Sequence, residues 1–456
     1  MDKIQLLQER KAKIINMSKE IRDDIFAIVD EGSFVELSAF SFSKNDFYGD
    51  GAEGEGVVTG YATIEGYPYY IVAQNFKVFD GGVSKASCDK IVKCLDAAEK
   101  NAIPVVYLLN THGVQVGEGV TVLEGLASVL MKATQLKYNC TSQYVVVNGE
   151  VYGAAAMLAA IADFTFFVKK KSVLAINSPF VLSAKAGKNL TKEDVGGAAA
   201  LNKTGIVSFE VETLEQAGEK ISALRELFRE KVIDAELNDS LPVLNESVTA
   251  ENILSAFESY IELYANYEPE IKTVLGRIGG ISVAAVIFDD VEDGVELTVG
   301  KIEKLKSFAE IAYYYDLPFV TFTNTKGICP CACANNSRIL KAIAQYLEIF
   351  RSMDVPKVAV VYKKAIGLGY SLFASKSIGF EYTCAFANAK IALFDTEQGA
   401  QIEFGNSGVD KAALTAKYAD ENSDPINAAK DGYIDAIIEP QFVKQYLIAS
   451  LQMLIR

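Results

Sequence analysis

The sequence predicts an α/β protein in which one helix–strand unit is made twice, and three observations carry that prediction. Helical segments alternate with short apolar runs of the kind that form strands buried on both faces. An offset of 214 residues aligns two stretches without a gap: Lys90 falls on Lys304, Pro104-Val105-Val106 on Pro318-Phe319-Val320, Asn110-Thr111-His112-Gly113 on Asn324-Thr325-Lys326-Gly327, and Gly153 on Gly367. Each of the aligned apolar runs closes on the same Asn-Thr-x-Gly signal.

Taken in chain order, the opening segment 1–26 spreads its charges through the apolar positions and reads as an amphipathic helix, unlike a signal peptide. Residues 88–100 and 302–316 read as helices, and 103–109 and 317–323 as buried strands, each ending in an Asn-Thr-x-Gly loop. Second strands, at 144–147 and 357–362, lead to glycine turns that open helices of small residues. The longest apolar run, 151–168, is broken by Asp163 and reads as a buried helix followed by a strand, not a membrane span. The connection at about 213–255 is acidic and helical and contains Leu241-Pro242, which places a domain boundary near 240, giving domains 1–240 and 241–456. A last helix at about 441–455 is expected to pack on a neighbouring subunit.

With 456 residues the chain has room for two domains, and 50% apolar with 23% charged residues is ordinary globular composition. A net charge of −15 repels phosphate backbones and anionic lipid, so neither a nucleic-acid partner nor a membrane role is expected. The seven cysteines fit reduced thiols and a cytoplasmic setting. Cys329, Cys331 and Cys333 alternate at a spacing poorly suited to a tetrahedral metal site, so they read as small buried thiols and no metal is expected.

The chemistry resides in the turns. A glycine at a strand-to-helix turn brings backbone close to a ligand and leaves N–H groups unpaired, and such amides stabilise a developing oxyanion. His112, the single histidine, and Gly113 stand on the first Asn-Thr-x-Gly loop, with Lys326 and Gly327 at the matched places. No acid–base pair is recognisable beside either turn. Lys169-Lys170-Lys171 after a strand is a candidate contact for an anionic ligand.

Read as whole motifs, the chain resembles the carboxyltransferase (β) subunit of biotin-dependent acyl-CoA carboxylases, the propionyl-CoA carboxylase β type. The likeness runs nearly end to end. It begins with GSFVEL at 32–37, GEGVVTGYATIEGYP at 54–68 and NFKVFDGG at 75–82, and continues with THGVQVGEGV at 111–120, ADFTFFV at 162–168, NSP at 177–179 and TKEDVGGA at 191–198. The second half has GRIGG at 276–280, DLPFVTFTN at 316–324, VPKVAVVYKKAIGLGY at 355–370, Ser375-Lys376 and GYIDAIIEP at 432–440. The resemblance implies two crotonase-like domains, with acyl-CoA on the first and carboxybiotin on the second, in a homohexamer built as a dimer of trimers. It implies transfer of a carboxyl group between biotin and the α-carbon of an acetyl- or propionyl-class acyl-CoA, through one enolate on the thioester and one on the biotin ureido group.

Carried over by position, the thioester oxyanion hole falls on the amides of Gly153 and Ala154, and the biotin hole on those of Leu368 and Gly369. His112, Gly113, Gly327 and Ser371 fall on substrate-binding positions, Ser371 where acyl choice is tuned. The resemblance further implies biotin on a separate carrier chain, a biotin carboxylase partner and no metal. The loop that the family writes Gly-Gly-Ala-Arg is His112-Gly113-Val114-Gln115 here, and its Pro-Gly-Phe-x-Pro-Gly is Lys326-Gly327-Ile328-Cys329-Pro330-Cys331. Two other readings fit the same scaffold. One is the carboxyltransferase of a malonyl-, methylmalonyl- or glutaconyl-CoA decarboxylase complex, and the other is a non-catalytic CoA-binding or assembly subunit.

Overall fold

The structure, a computed structural model, describes residues 2–41, 54–187, 189–229, 240–405 and 411–455. Its contacts divide the chain into units Met1–Arg225 and Glu226–Arg456. The sequence-based boundary at 240 directly follows residues 230–239, which lie outside the described residues.

Each unit is built on one mixed sheet, and the two sheets follow the same plan. In the first, the strands Val57–Ile64 and Tyr67–Gln74 form an antiparallel hairpin. Its two-residue turn places Glu65 at φ 47° and Gly66 at φ 79°, the pair of positive values that matches the twist of flanking strands. From there the sheet continues in parallel through Val105–Thr111, Gln143–Tyr152, Phe164–Val168 and Phe209–Val211. The helices Lys85–Asn101 and Val120–Tyr138 make the first two crossovers. In the second unit the hairpin is Ile271–Ile278 with Ile281–Phe288, joined through Gly279 and Gly280 at φ 58° and 77°. Parallel strands Phe319–Ile328, Lys357–Ile366, Tyr382–Phe386 and Ala436–Ile438 follow. The hairpins and the strands Gln143–Tyr152 and Lys357–Ile366 coincide to the residue at offset 214, so the α/β repeat read from the sequence is present in the structure.

Each core is one face of a sheet against helices, with Tyr107, Val145, Leu95 and Leu126 in the first unit and Val320, Val358, Ile278 and Leu447 in the second. The matched lysines are buried in both. The Lys90 ammonium donates to the Val57 carbonyl at 2.6 Å, and that of Lys304 to the Tyr267 and Tyr264 carbonyls at 2.6 and 3.0 Å. Desolvation pushes both groups down to about 8.

A carboxylate caps the start of the fourth strand in each unit. Asp163 accepts the Gln143 N–H at 2.8 Å, and Glu381 accepts the Lys357 N–H at 3.4 Å. Burial, the largest influence, pushes the Asp163 carboxyl up to about 6. Because its folded value lies above the unfolded one of about 4, the native state binds the extra proton between those values. The site therefore favours folding at low pH, and its contribution is lost as pH rises through about 6. Asp163→Asn keeps an oxygen for the Gln143 N–H and removes the charge. It is expected to raise the urea midpoint at pH 8 by the equivalent of about 2–3 kcal/mol, with the gain gone at pH 4. A gain of equal size at both pH values would refute the assignment.

Several elements depart from the sequence reading. The opening helix is two, Lys3–Met17 and Lys19–Phe26, divided at Ser18, whose hydroxyl donates to the Ile14 carbonyl. The second Asn-Thr-x-Gly segment is strand through Ile328, because the short strand Val295–Leu297 pairs with it. In the run 151–168, Val151 and Tyr152 complete a strand before the helix Met157–Ile161 begins. The last helix, Val443–Leu454, buries Val443, Leu447, Ile448 and Leu451 in its own unit's core.

Candidate functional site

A bulge positions the site in each unit. Leu109 stands opposite Val147 and Thr111 opposite Val151, so two steps on one strand meet four on the other. Thr323 with Val361 and Thr325 with Ala365 repeat the irregularity. Bulges bend a strand and re-aim its side chains. Beyond this one the strand leaves its first partner and pairs with Val173–Ala175 in the first unit and Lys390–Ala392 in the second, then turns.

The turn itself needs glycine. Gly153 has φ 77° and Gly367 φ 54°, a region that residues with a Cβ seldom adopt. Gly153 begins the short helix Gly153–Ala156, and Gly367 caps Leu368–Phe373. The first N–H groups of a helix lack partners within it. Here the Gly153 N–H donates to the Ile176 carbonyl at 3.1 Å, and the Gly367 N–H to that of Ala392 at 2.9 Å. The Gly153 amide is thus engaged by the neighbouring strand end, and the next amides, of Ala154 in one unit and of Leu368 and Gly369 in the other, begin the helices. Leu368 is half exposed, Gly369 is buried, and Ser371 is exposed on the same short helix with its N–H donating to the Gly367 carbonyl.

The Asn-Thr-x-Gly segments lie beside these turns. In both, the threonine hydroxyl accepts the glycine N–H two residues on, Thr111 from Gly113 at 3.1 Å and Thr325 from Gly327 at 3.0 Å. Gly113 and Gly327 have φ 114° and 83°. His112 is thereby held at the first turn. Its N–H donates to the Asp80 carbonyl, its ring meets Phe76 edge-on at 4.8 Å, and Tyr152 lies 5.8 Å away. Nε2 of His112 is 3.7 Å from the Glu150 carboxylate. Glu150 also accepts the Tyr152 hydroxyl at 2.8 Å and faces the Lys192 ammonium at 3.4 Å. Burial and the bond to Glu150 push the Tyr152 phenol up. A His–Glu–Tyr cluster therefore stands beside the first turn. Glu150 precedes Gly153 by three residues, and it is the bulge that brings it to His112.

The second unit carries other groups at these places. Lys326 matches His112 and pairs with Glu296 at 3.6 Å. Lys364 matches Glu150 and pairs with Asp395 at 3.4 Å, and Ile366 matches Tyr152. Neighbouring Lys363 donates to the Asp290 carbonyl at 2.8 Å.

Other expectations fare differently. Cys331 and Cys333 are joined by a disulfide, and Cys333 is exposed, so these two are neither reduced nor buried. The physical reason is the tight bend after Ile328, which places their Cα atoms 5.4 Å apart, within bridging range. Cys329 is a half-buried free thiol. Lys169 pairs with Glu212 at 2.6 Å on an exposed turn. A cavity of about 1090 Å³ in the second unit, lined by Arg277, Tyr315, Lys357 and Lys376 among others, opens at the starts of the parallel strands. It is at the opposite end from the Gly367 turn. Among the described residues no group of three His, Cys, Asp or Glu side chains is placed to hold a metal, and no helix is long and apolar enough to cross a membrane.

A family model described as the carboxyl transferase domain matches residues 18–456. Methylmalonyl-CoA decarboxylase subunit alpha of Veillonella parvula is 28% identical, with 99% of this chain and 96% of that protein covered. A putative propionyl-CoA carboxylase beta chain of Bacillus subtilis is also 28% identical, over 95% of this chain and 90% of its own. Among solved structures, the transcarboxylase 12S hexamer with methylmalonyl-coenzyme A bound superposes with a TM-score of 0.90 at 22% identity, covering 98% of this chain and 94% of that one. A single-chain, multi-domain long-chain acyl-CoA carboxylase gives 0.84 at 18% identity, with 99% of this chain against 49% of that one. The fold is crotonase-like, as the resemblance implies.

Proposed function

The chain belongs to the carboxyl transferase domain family, and from that premise we propose that it moves a carboxyl group between biotin, borne on a separate carrier chain, and the α-carbon of a short acyl-CoA. The observation that supports this most directly is one glycine turn made twice, each opening a helix whose first amides lack partners within it. A reaction that develops negative charge on two different carbonyl oxygens needs two such donor sites. Biotin would supply the carboxyl group or accept it.

The chain's own part is positional. Domain 1–240 takes the acyl-CoA, with the Ala154 amide at the thioester oxygen and Gly153, bonded to Ile176, holding the turn open. Domain 241–456 takes the biotin, with the Leu368 and Gly369 amides as donors. His112, Gly113 and Gly327 line the approaches, and Ser371 is the position at which acyl choice is tuned. The assembly is a homohexamer served by biotin carboxylase and carrier chains, a reading supported by the hexameric transcarboxylase 12S core. The site acts without a metal and the protein is cytoplasmic.

A second reading, the same chemistry run as decarboxylation, is favoured by the likeness to the methylmalonyl-CoA decarboxylase subunit. Both are tested by incubating the purified chain with malonyl-CoA and methylmalonyl-CoA, with and without free biotin. Biotin-stimulated loss of the carboxyl group is the expected result, and the faster substrate names the acyl class. CoA binding with no turnover on either would replace both readings by a non-catalytic subunit.

A further inference from the structure

The two units supply their own control experiment. Their backbones agree through the bulge and the turn, yet the first unit places His112, Glu150 and Tyr152 where the second has Lys326, Lys364 and Ile366. The fold therefore does not require an acid–base set at these positions, since its other copy is built with two lysines that each pair elsewhere. In the first unit the three groups converge. His112 Nε2 is 3.7 Å from Glu150, Glu150 accepts the Tyr152 hydroxyl at 2.8 Å, and Tyr152 immediately precedes Gly153. The ring is fixed against Phe76, while the side chain stays 46% exposed and thus open to a ligand.

We infer that His112 transfers the α-proton of the bound acyl-CoA, with Glu150 and Tyr152 as positioning residues, an inference that rests on the acyl-CoA reading of the first unit. Nε2, the nitrogen nearest Glu150, carries the neutral ring's N–H, so Nδ1 takes the proton. The C–H bond breaks as an N–H bond forms, and the electron pair is delocalised onto the thioester oxygen at the Ala154 amide. The imidazolium then faces the Glu150 carboxylate, which stabilises it. In the decarboxylating direction the step runs in reverse: once the carboxyl group has left, the enolate carbon takes the Nδ1 proton. The charged and titratable groups around the ring are Glu150, Tyr152 and, across Glu150, Lys192, with Glu193 acting on Tyr152. Such a group makes enolisation independent of biotin.

The test is deuterium incorporation at the α-carbon of propionyl-CoA in D2O, with the intact chain and no biotin. The wild type is expected to exchange, and His112→Ala to lower the rate by about 100-fold or more, within the range of general acid–base catalysis. Added imidazole is expected to restore part of the lost rate, which a purely structural role would not allow. In Glu150→Gln the loss of the anion is expected to lower the maximal exchange rate while leaving the KM for propionyl-CoA in place, and Glu150→Asp to restore part of the rate. Exchange that requires biotin, that is unchanged in His112→Ala, or that keeps its maximal rate in Glu150→Gln overturns the inference. Biotin-stimulated decarboxylation, measured on the same preparation, reports on the parent reading separately. If it is present while exchange is absent, only the role of His112 falls.

Discussion

Gly153→Pro is expected to lower biotin-stimulated decarboxylation and carboxyl transfer by about 10²–10³-fold, the usual loss when an oxyanion donor is removed. Two features of the turn make the change severe. Proline fixes φ near −65°, whereas Gly153 sits at 77°, so the chain can no longer leave the strand in the direction that starts the helix Gly153–Ala156. Proline also lacks the N–H that Gly153 gives to the Ile176 carbonyl, so the strand end drifts from its neighbour. On the proposed reading the Ala154 amide is then turned from the thioester oxygen. The oligomer, checked by sedimentation, is expected to persist, because the core strands of the unit are untouched. Turnover at the wild-type rate would remove the turn from the mechanism.

Gly367→Pro is expected to cost carboxyl transfer as much, but to leave acyl-CoA binding in place. The backbone argument is the same, with φ 54° and an N–H given to Ala392. What differs is the half of the reaction that fails. If the second unit serves biotin, the variant should bind propionyl-CoA with a wild-type Kd by calorimetry while transferring nothing measurable to free biotin. Loss of acyl-CoA affinity together with transfer would show that the units do not divide the substrates in this way. Gly153→Pro and Gly367→Pro, measured together, thus assign each turn to a substrate.

Much of this was legible in the sequence because strand and turn chemistry is local. Asn-Thr-x-Gly, the buried runs after Pro104 and Pro318, and the paired glycines at 153 and 367 need no tertiary knowledge to be matched. The His–Glu–Tyr cluster was not legible for a definite reason. Glu150 lies on a bulge, and alternation along a strand fails where one strand carries extra residues, so its facing His112 depends on a register irregularity that residue types do not reveal. The partner of Gly153 was equally hidden, since Ile176 lies 23 residues on in an unremarkable segment. Cys331 and Cys333 were read as thiols because spacing along a chain says little about whether a bend brings two sulfur atoms together.

The constant offset of 214 residues between the hairpins, and on to the glycine turns, carries an evolutionary consequence. Beyond the turns the spacing drifts, to 218 for the strands starting at Phe164 and Tyr382 and to 227 for those starting at Phe209 and Ala436. Descent from one duplicated ancestor explains both: the hairpin, bulge and turn were inherited at fixed length, while the later segments gained and lost residues. On that account the ancestral half-chain already possessed the bulge and the glycine turn. At the positions inherited at fixed length the two copies now differ by side chain, with a histidine, a glutamate and a tyrosine at one turn and two lysines and an isoleucine at the other.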